Sequence, residues 1–172
     1  MATTFWVCLA LILSSGFFEP VLAAMSPTEV ELEVLRLINI ERAKEENTPP
    51  LSWNDQLFEA ARLHSEDMAE NDYFSHTSLD GRNPSDRVTA TGYSGISAEN
   101  IGAGYPDAQA IVNGWMNSKG HRENMLNKKL CEAGVGYAPA TNAQYAHYWT
   151  LNLGRQRGVS ACPDVDPEPE PN

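Results

Sequence analysis

The hydrophobic positions of the first third of the chain recur at helical spacing, with charged residues between them. This periodicity predicts an amphipathic helix that continues to about residue 45 and is ended by Pro49-Pro50. We predict that Ser26 caps this helix, because proline follows at the first helical position and Glu29 comes three residues after the cap. The apolar positions that define it are Val30, Val34, Leu37 and Ile38.

Two further segments predict helices, and an irregular stretch separates them. One helix starts near Asn54 and carries a core-facing stripe that includes a histidine, and the other covers residues 106–117. Residues 71–97 contain proline and several glycines, so we predict irregular structure there with a short helix at 84–90. The two stripes consist of Leu57, Ala61, His64 and Met68, and of Ala108, Ile111, Val112 and Trp115.

The last third of the chain alternates between apolar and small or polar residues, which is typical of strands. Residues 132–138 and 145–153 are the two predicted strands, and 139–144 is the hairpin loop between them. Because helices come first and strands last, a parallel nucleotide-binding sheet is disfavoured. The pattern predicts an α+β domain in which helices pack against an antiparallel sheet.

The N-terminal apolar run is of a different kind. Residues 5–18 are almost continuously apolar, and Val21-Leu22-Ala23 supplies the small residues that precede a cleavage site. The run is short for a membrane span. We therefore predict a signal peptide at residues 1–23, a secreted protein and no transmembrane segment after cleavage. An uncleaved anchor is the alternative, since no basic residue precedes the run.

The cysteines and the C-terminus define the rest of the domain organisation. Cys8 lies in the predicted signal peptide, which leaves Cys131 and Cys162 as an even pair. In a secreted chain such a pair predicts a disulfide, worth about 3.5 kcal/mol in the chain-entropy estimate. Two free thiols would be expected in a cytosolic protein. Residues 163–172 alternate proline with acids and predict an extended tail, so the folded domain is assigned to 24–162.

The charge narrows the function classes. The chain has a formal net charge of −11, and no run of Lys or Arg is longer than two residues. Recognition of phosphates requires a clustered positive surface, so we expect no nucleic-acid partner. The same absence of basic runs disfavours docking to anionic membranes.

Three polar side chains are the candidates for chemistry. His76, Glu99 and His121 are expected at turns or element ends, where side chains can converge on a cleft. Imidazole with carboxylate is the donor set for zinc or copper and for acid–base catalysis near neutral pH. Spacing alone is a weak signal, because H-E-x-x-H, C-x-x-C and G-x-S-x-G are all absent. The alternative is a hydrogen-bond network that only fixes loops to the sheet.

A set of short motifs in fixed order strengthens this hypothesis. Together they resemble the CAP superfamily, which comprises the cysteine-rich secretory, antigen 5 and pathogenesis-related class-one proteins and shares the SCP domain. The resemblance covers about residues 30–155 and is closest to the short single-domain branch. The motifs are His64-Ser65-Glu66-Asp67-Met68-Ala69, Tyr73-Phe74-Ser75-His76, Ala98-Glu99-Asn100-Ile101, Trp115-Met116-Asn117-Ser118, Gly120-His121-Arg122-Glu123-Asn124, Gly134-Val135-Gly136-Tyr137 and Tyr148-Trp149.

The resemblance implies a three-layer α-β-α sandwich with a mainly antiparallel central sheet. It also implies a central cleft of two histidines and two acids that binds divalent metal in several members. His76, Glu99 and His121 match three of these positions, and the second acid is replaced by Ser118. Glu123 is the residue that could compensate for it. The residues expected to support the cleft are Ser118, Glu123, Asn100, Asn124 and Arg122.

The resemblance most often implies a secreted, non-enzymatic protein, and we expect a monomer. Its cleft would bind a small apolar ligand, such as a sterol or fatty acid, or an extracellular protein partner. The alternative is a zinc-dependent hydrolase or protease, with His76, Glu99 and His121 holding zinc and an activated water. A third hypothesis is a structural or signalling role for the surface alone. His64 and His147 are interpreted as structural histidines.

Overall fold

The computed structural model describes residues 25–160 and residue 162; the predicted signal peptide and acidic tail lie outside them. The described part contains five helices and four strands. The helices are α1 (Glu29–Ala43), α2 (Asp55–Glu70), α3 (Pro84–Ala90), α4 (Ala108–Asn117) and α5 (Lys119–Met125). The strands are β1 (Ser52–Trp53), β2 (Gly95–Ala103), β3 (Glu132–Pro139) and β4 (His147–Gln156).

The strands form one sheet in the order β1-β3-β4-β2. β3 and β4 pair antiparallel as a hairpin, β2 pairs antiparallel with β4, and only the short β1 is parallel to its neighbour. The predicted hairpin is thus confirmed, as is the α+β fold with a mainly antiparallel sheet. Because β2 lies at one edge of the sheet, its residues are accessible to loops arriving from both faces.

Helices cover both faces of this sheet, which confirms the three-layer sandwich. α1 and α4 contribute to the larger core with one face of β3 and β4, around the fully buried Trp149. On the opposite face, Leu57 and Ala60 of α2 pack with Val88 of α3 and with Tyr93. α2 lies directly on β3, because a Cβ at Gly134 would come within 2.0 Å of the backbone nitrogen of Phe58.

The beginning of α1 differs from the prediction. The N-cap is Thr28, two residues after the predicted Ser26. Its backbone amide and its hydroxyl both donate to the Glu31 carboxylate, at 2.8 and 2.7 Å. Glu31 is buried and also pairs with Arg62 of α2 and accepts from the backbone amide of Tyr137 in β3. The cap is therefore selected by tertiary contacts, and not by the proline that follows Ser26.

Two elements differ from the pattern of the sequence. The first residues of β2 fall in the segment predicted to be irregular, and α5 occupies the predicted turn after α4. β2 shows no alternation because its residues lie between two helical layers, and four consecutive ones, Glu99 to Gly102, are buried. α5 is a helix of seven residues, too short to show a hydrophobic period.

A buried arginine and the disulfide stabilise the end of the sheet where β3 begins. The Arg42 guanidinium of α1 is fully buried and donates to the backbone carbonyls of Pro49, Met125, Asn127 and Leu130 over 2.6–3.2 Å. The next residue, Cys131, is joined to Cys162 as predicted. This end of the molecule is thus fixed by backbone hydrogen bonds and one covalent link.

Candidate functional site

Glu99 lies in the middle of β2, and its carboxylate binds both a histidine and an arginine. Its carboxylate is almost fully buried, with 2% of the side chain exposed. Oε1 lies 2.8 Å from Nδ1 of His76, and Oε2 lies 2.7 Å from Nη2 of Arg87. The prediction that Glu99 lies at a turn or element end is wrong, since it is a mid-strand residue. His76 lies in the loop between α2 and α3, as expected.

Arg87 of α3 is not among the residues predicted for the site, although it is the cation that makes the burial of Glu99 possible. Its side chain is 4% exposed. Besides Glu99, its Nη1 donates to the carbonyls of His76 and Arg82 and to the hydroxyl of Ser78, at 2.9–3.1 Å. The sequence offers Arg82 and Arg87 on neighbouring turns, and nothing in their local pattern distinguishes the exposed residue from the buried one.

The second histidine is held from the opposite face of the sheet. His121 lies in the first turn of α5, the short helix that follows α4. Its backbone carbonyl accepts from Nδ2 of Asn100, and Oδ1 of Asn100 accepts from Nδ2 of Asn124, at 3.0 and 2.9 Å. Adjacent strand residues point to opposite faces. Glu99 therefore reaches the loop that carries His76, while Asn100 reaches the helix that carries His121.

The other predicted cleft residues have different positions. Ser118 is the N-cap of α5 and lines a cleft beside His121. Arg122 donates to the carbonyl of Met116 at 2.8 Å, which braces α5 against the end of α4. Glu123 is exposed, and its carboxylate lies 3.9 Å from the Lys119 ammonium. It does not line the cleft, and this surface position does not let it substitute for the missing acid at Ser118.

The cleft beside His121 has a volume of about 260 Å³ and lies between β2, the end of α4 and the segment around residue 145. Its wall is mainly aromatic and aliphatic, and Ser118 and His121 are its polar side chains apart from the tyrosines. Phe74 is 46% exposed, and its ring meets that of Tyr145 edge-on at a centroid distance of 6.1 Å. The lining residues are Phe74, Ile101, Gly102, Ala103, Tyr105, Gly114, Trp115, Ser118, His121 and Tyr145.

The electrostatics of the site favour a neutral His121. Burial lowers the pKa of His121, and the charge that His76 carries when protonated lowers it further. The two imidazoles are therefore close enough to repel one another when both are protonated. At neutral pH, His121 offers one ring nitrogen as donor and the other as acceptor or ligand.

The remaining two histidines have structural contacts. His64 of α2 is 1% exposed, and its Nε2 lies 3.0 Å from the carbonyl of Ser75. Burial lowers its pKa, and the charge of Arg87 adds to this effect, against the opposing influence of Glu99. His147 begins β4, and its Nδ1 lies 2.9 Å from the hydroxyl of Tyr137. These placements agree with the structural interpretation of both residues.

The three residues His76, Glu99 and His121 do not fit a three-ligand metal site in this arrangement. Both oxygens of Glu99 already have partners, and one of these is the Arg87 guanidinium. Across residues 25–160 and 162, no group of three or more His, Cys, Asp or Glu side chains is arranged to hold a metal ion. The arrangement leaves two imidazoles with Glu99 behind one of them, a position in which carboxylates orient metal-binding histidines.

Comparison with known proteins agrees with this fold. The profile of the cysteine-rich secretory protein family, CAP, matches residues 35–153. The uncharacterized protein YkwD of Bacillus subtilis is 39% identical over 116 residues, which is 67% of this chain and 45% of that protein. The uncharacterized membrane protein YlbC of the same organism is 41% identical over 110 residues, 63% of this chain and 32% of that protein. The chain thus spans less than half the length of these curated relatives.

Two solved structures show the same architecture. An extracellular protein containing an SCP domain from Bacillus anthracis is 35% identical with a TM-score of 0.65, over 73% of this chain and 40% of that chain. An outer surface protein from Borrelia burgdorferi has a TM-score of 0.66 at 22% identity, over 77% of this chain and 97% of that chain. The second similarity concerns the fold alone. In the part of the chain described by the structure, no helix is long and apolar enough to cross a membrane.

Proposed function

Because the chain belongs to the CAP family of cysteine-rich secretory proteins, we propose that it is an exported, non-enzymatic protein that binds a small apolar ligand in the cleft beside His121. The Cys131–Cys162 disulfide supports export, since such bonds persist in oxidising compartments. The similar protein from Bacillus anthracis is named as extracellular, which supports the same location.

The observation that carries the binding proposal is the composition of the cleft wall. Ligand sites are concave and mostly apolar, with a few polar groups that orient the ligand. Here Phe74, Tyr105 and Tyr145 provide the rings, and His121 and Ser118 provide the polar groups at one place on the wall. Phe74 remains 46% exposed, so a ligand that covers its ring would remove apolar surface from water, and this burial would favour binding.

The volume of the cleft limits what it encloses. At about 260 Å³ it lies just below the range of about 300–1,000 Å³ that is usual for sites burying a drug-sized ligand. An acyl chain or one end of a sterol would be enclosed, while the rest of the ligand would remain outside. We propose a fatty acid or a sterol as the ligand class, with an extracellular protein partner as the alternative occupant.

Binding of labelled fatty acid and labelled sterol to the purified chain tests this proposal. We expect saturable binding of at least one probe, weakened about tenfold or more by Tyr145→Ala, because burial of an aromatic side chain contributes about 1.5–3 kcal/mol. Leu63→Ala is the control, since Leu63 is an exposed apolar side chain on α2 outside the cleft. No saturable binding of either probe would exclude the lipid proposal and leave the protein partner.

Divalent metal binding is the second candidate, and the pairing of His76 with Glu99 favours it. A carboxylate on one ring nitrogen fixes the imidazole and leaves the other nitrogen as a ligand. A hydrolase would also need a third ligand and a base, and Ser118 stands where the family has a carboxylate. Zinc titration by calorimetry, repeated on His76→Ala, tests the metal site. Equal heats from both proteins would refute it.

A further inference from the structure

One guanidinium contacts the loop that carries His76 at several points. Nη1 of Arg87 donates to the carbonyls of His76 and Arg82 and to the hydroxyl of Ser78, at 2.9, 3.1 and 3.0 Å. Nη2 donates to Oε2 of Glu99 at 2.7 Å. The side chain is 4% exposed, so these bonds are largely shielded from water.

We infer that Arg87 is the positioning residue of the candidate site and that it fixes His76 twice, once by its backbone and once by its imidazole. The first hold is the hydrogen bond to the His76 carbonyl. The second passes through Glu99, whose two oxygens are divided between Arg87 and Nδ1 of His76. The inference rests on the proposed function in one respect only, namely that the cleft beside these residues is a binding site.

The geometry requires arginine. Its planar group presents donors in fixed directions, so it can bind a carboxylate with one nitrogen and loop carbonyls with the other. Lysine would keep the charge beside Glu99 but could not reach these separated acceptors from one point. A buried carboxylate without a paired cation is strongly unfavourable. Arg87 therefore allows Glu99 to be present as a carboxylate behind His76.

The consequence is a defined tautomer for His76. A carboxylate oxygen only accepts, so the neutral imidazole must carry its proton on Nδ1 to bond Glu99 at 2.8 Å. The lone pair is then on Nε2. Because the His76 side chain is 50% exposed, this nitrogen is available to a ligand. An exposed histidine without such a partner would exchange between the two tautomers.

His64 provides a separate observation on the same guanidinium. Its Nε2 must carry the proton, because the partner at 3.0 Å is the Ser75 carbonyl. Its Nδ1 is then an acceptor, and Nε of Arg87 is a donor. Both atoms are buried without a hydrogen-bond partner among the described residues. The charge of Arg87 lowers the pKa of His64, which agrees with a neutral His64 imidazole near the guanidinium.

Nitrogen-15 NMR of the imidazole rings at pH 8 tests the inference directly. In the wild-type chain we expect the Nδ1-protonated tautomer of His76 to dominate. In Arg87→Lys we expect this dominance to be lost, with the Nδ1 and Nε2 resonances moving towards each other, while His147 is unchanged. Arg82→Lys is the matched control, because Arg82 lies in the same loop but is exposed and pairs with Asp80 at the surface.

A purely structural role for Arg87 predicts a different outcome. In that case Arg87→Lys would melt at a lower temperature but keep the wild-type His76 tautomer, and this result would overturn the inference. Glu99→Gln serves if Arg87→Lys does not fold. In this variant the amide oxygen can accept from Nδ1 of His76 only if the amide nitrogen faces Arg87, where two donors would meet. We therefore expect the preference for the Nδ1-protonated tautomer to be lost again. Retention of the tautomer in Glu99→Gln would equally overturn it.

The same samples separate this inference from the proposed function. Loss of the tautomer in Arg87→Lys, in a chain whose wild type binds neither lipid probe, would support the positioning role and refute lipid binding. Lipid binding with an unchanged tautomer in Arg87→Lys would support the function and refute the positioning role.

Discussion

Two buried arginines tie loops to helices in this fold, and their partners differ. Arg42 donates to backbone carbonyls, at the end of the sheet near the disulfide. Arg87 donates to loop acceptors and also to the Glu99 carboxylate, at the edge of the sheet beside the cleft. Burial lowers the pKa of Arg42 to about 10, and the acceptors that it binds are neutral carbonyls.

This contrast distinguishes a structural cation from one that serves a site. A guanidinium that binds carbonyls satisfies the backbone hydrogen-bond acceptors of a loop, and its effect ends there. A guanidinium that binds one oxygen of a carboxylate also fixes the position of the second oxygen, which can then orient another side chain. Here that side chain is His76, which is half-exposed.

Arg42→Met is expected to destabilise the chain most. The substitution leaves several buried carbonyls without a donor, and we expect a loss of about 3–5 kcal/mol in the free energy of unfolding by analogy with broken buried charge networks. Urea denaturation measures it. Arg36→Met is the control on the same helix, since Arg36 pairs with Glu33 at the surface. A cost of less than about 1 kcal/mol for Arg42→Met would contradict its structural role.

Removal of the disulfide is expected to cost about 3.5 kcal/mol, because the cysteines are 31 positions apart in the sequence and the unfolded chain loses a cross-link. Cys131→Ser with Cys162→Ser, measured in urea, gives the value. Cys131 directly follows Leu130, whose carbonyl Arg42 binds, so the losses should not be additive with Arg42→Met. As a control, a reducing agent should not change the stability of the double cysteine variant. Strict additivity of the two losses would contradict this coupling and show that Arg42 and the disulfide act independently.

Arg87→Lys is expected to cost less than Arg42→Met, about 1–2 kcal/mol, because lysine retains the charge beside Glu99 and loses the hydrogen bonds to the carbonyls of the loop that carries His76. Thermal and urea unfolding measure this change. The NMR signature of His76 should nevertheless respond more to this variant than to Arg42→Met. If Arg42→Met disturbed the His76 tautomer equally, the two arginines would not be functionally distinct.

A weaker effect concerns pH and His64, which lies near Arg87 and not near Arg42. Its folded pKa is lowered, so as pH falls through about 6.5 the unfolded chain takes up a proton that the folded chain does not. Stability should therefore be full above this pH and decline below it. His121, whose pKa is also lowered, contributes in the same direction. Urea midpoints at pH 8 and pH 5 should differ less in His64→Gln than in the wild type; an unchanged difference would exclude His64.

The sequence predicts the helices and the hairpin well because each has a clear period or a specific boundary. Asn54 is the N-cap of α2, and the short helix at Pro84–Ala90 has the predicted bounds. β2 is not predicted from the sequence, because its first three residues are exposed, its next buried stretch contains Glu99 and Asn100, and the strand therefore shows neither alternation nor an apolar run. Its assignment requires its partner β4, which is distant in sequence.

The identities of the candidate site residues are more predictable from the sequence than their hydrogen-bond partners and their positions relative to the cleft. The motif resemblance selects His76, Glu99 and His121, and the structure brings Glu99 against His76. Arg87 is not identifiable from the sequence, since its burial depends on α3 packing against β2. The spacing of Glu123 to His121 suggests a cleft residue, but its position on the exposed side of α5 is set by how that helix docks.

The neighbouring positions of Glu99 and Asn100 on one strand have a consequence for the formation of the site during folding. Each contacts a different helical layer, so a one-residue slip of β2 along β4 would exchange their faces and separate both histidines from their supports. A folding intermediate with only one layer docked would have one imidazole in place and no pair. Competence to bind should therefore require both helical layers to be docked on the sheet.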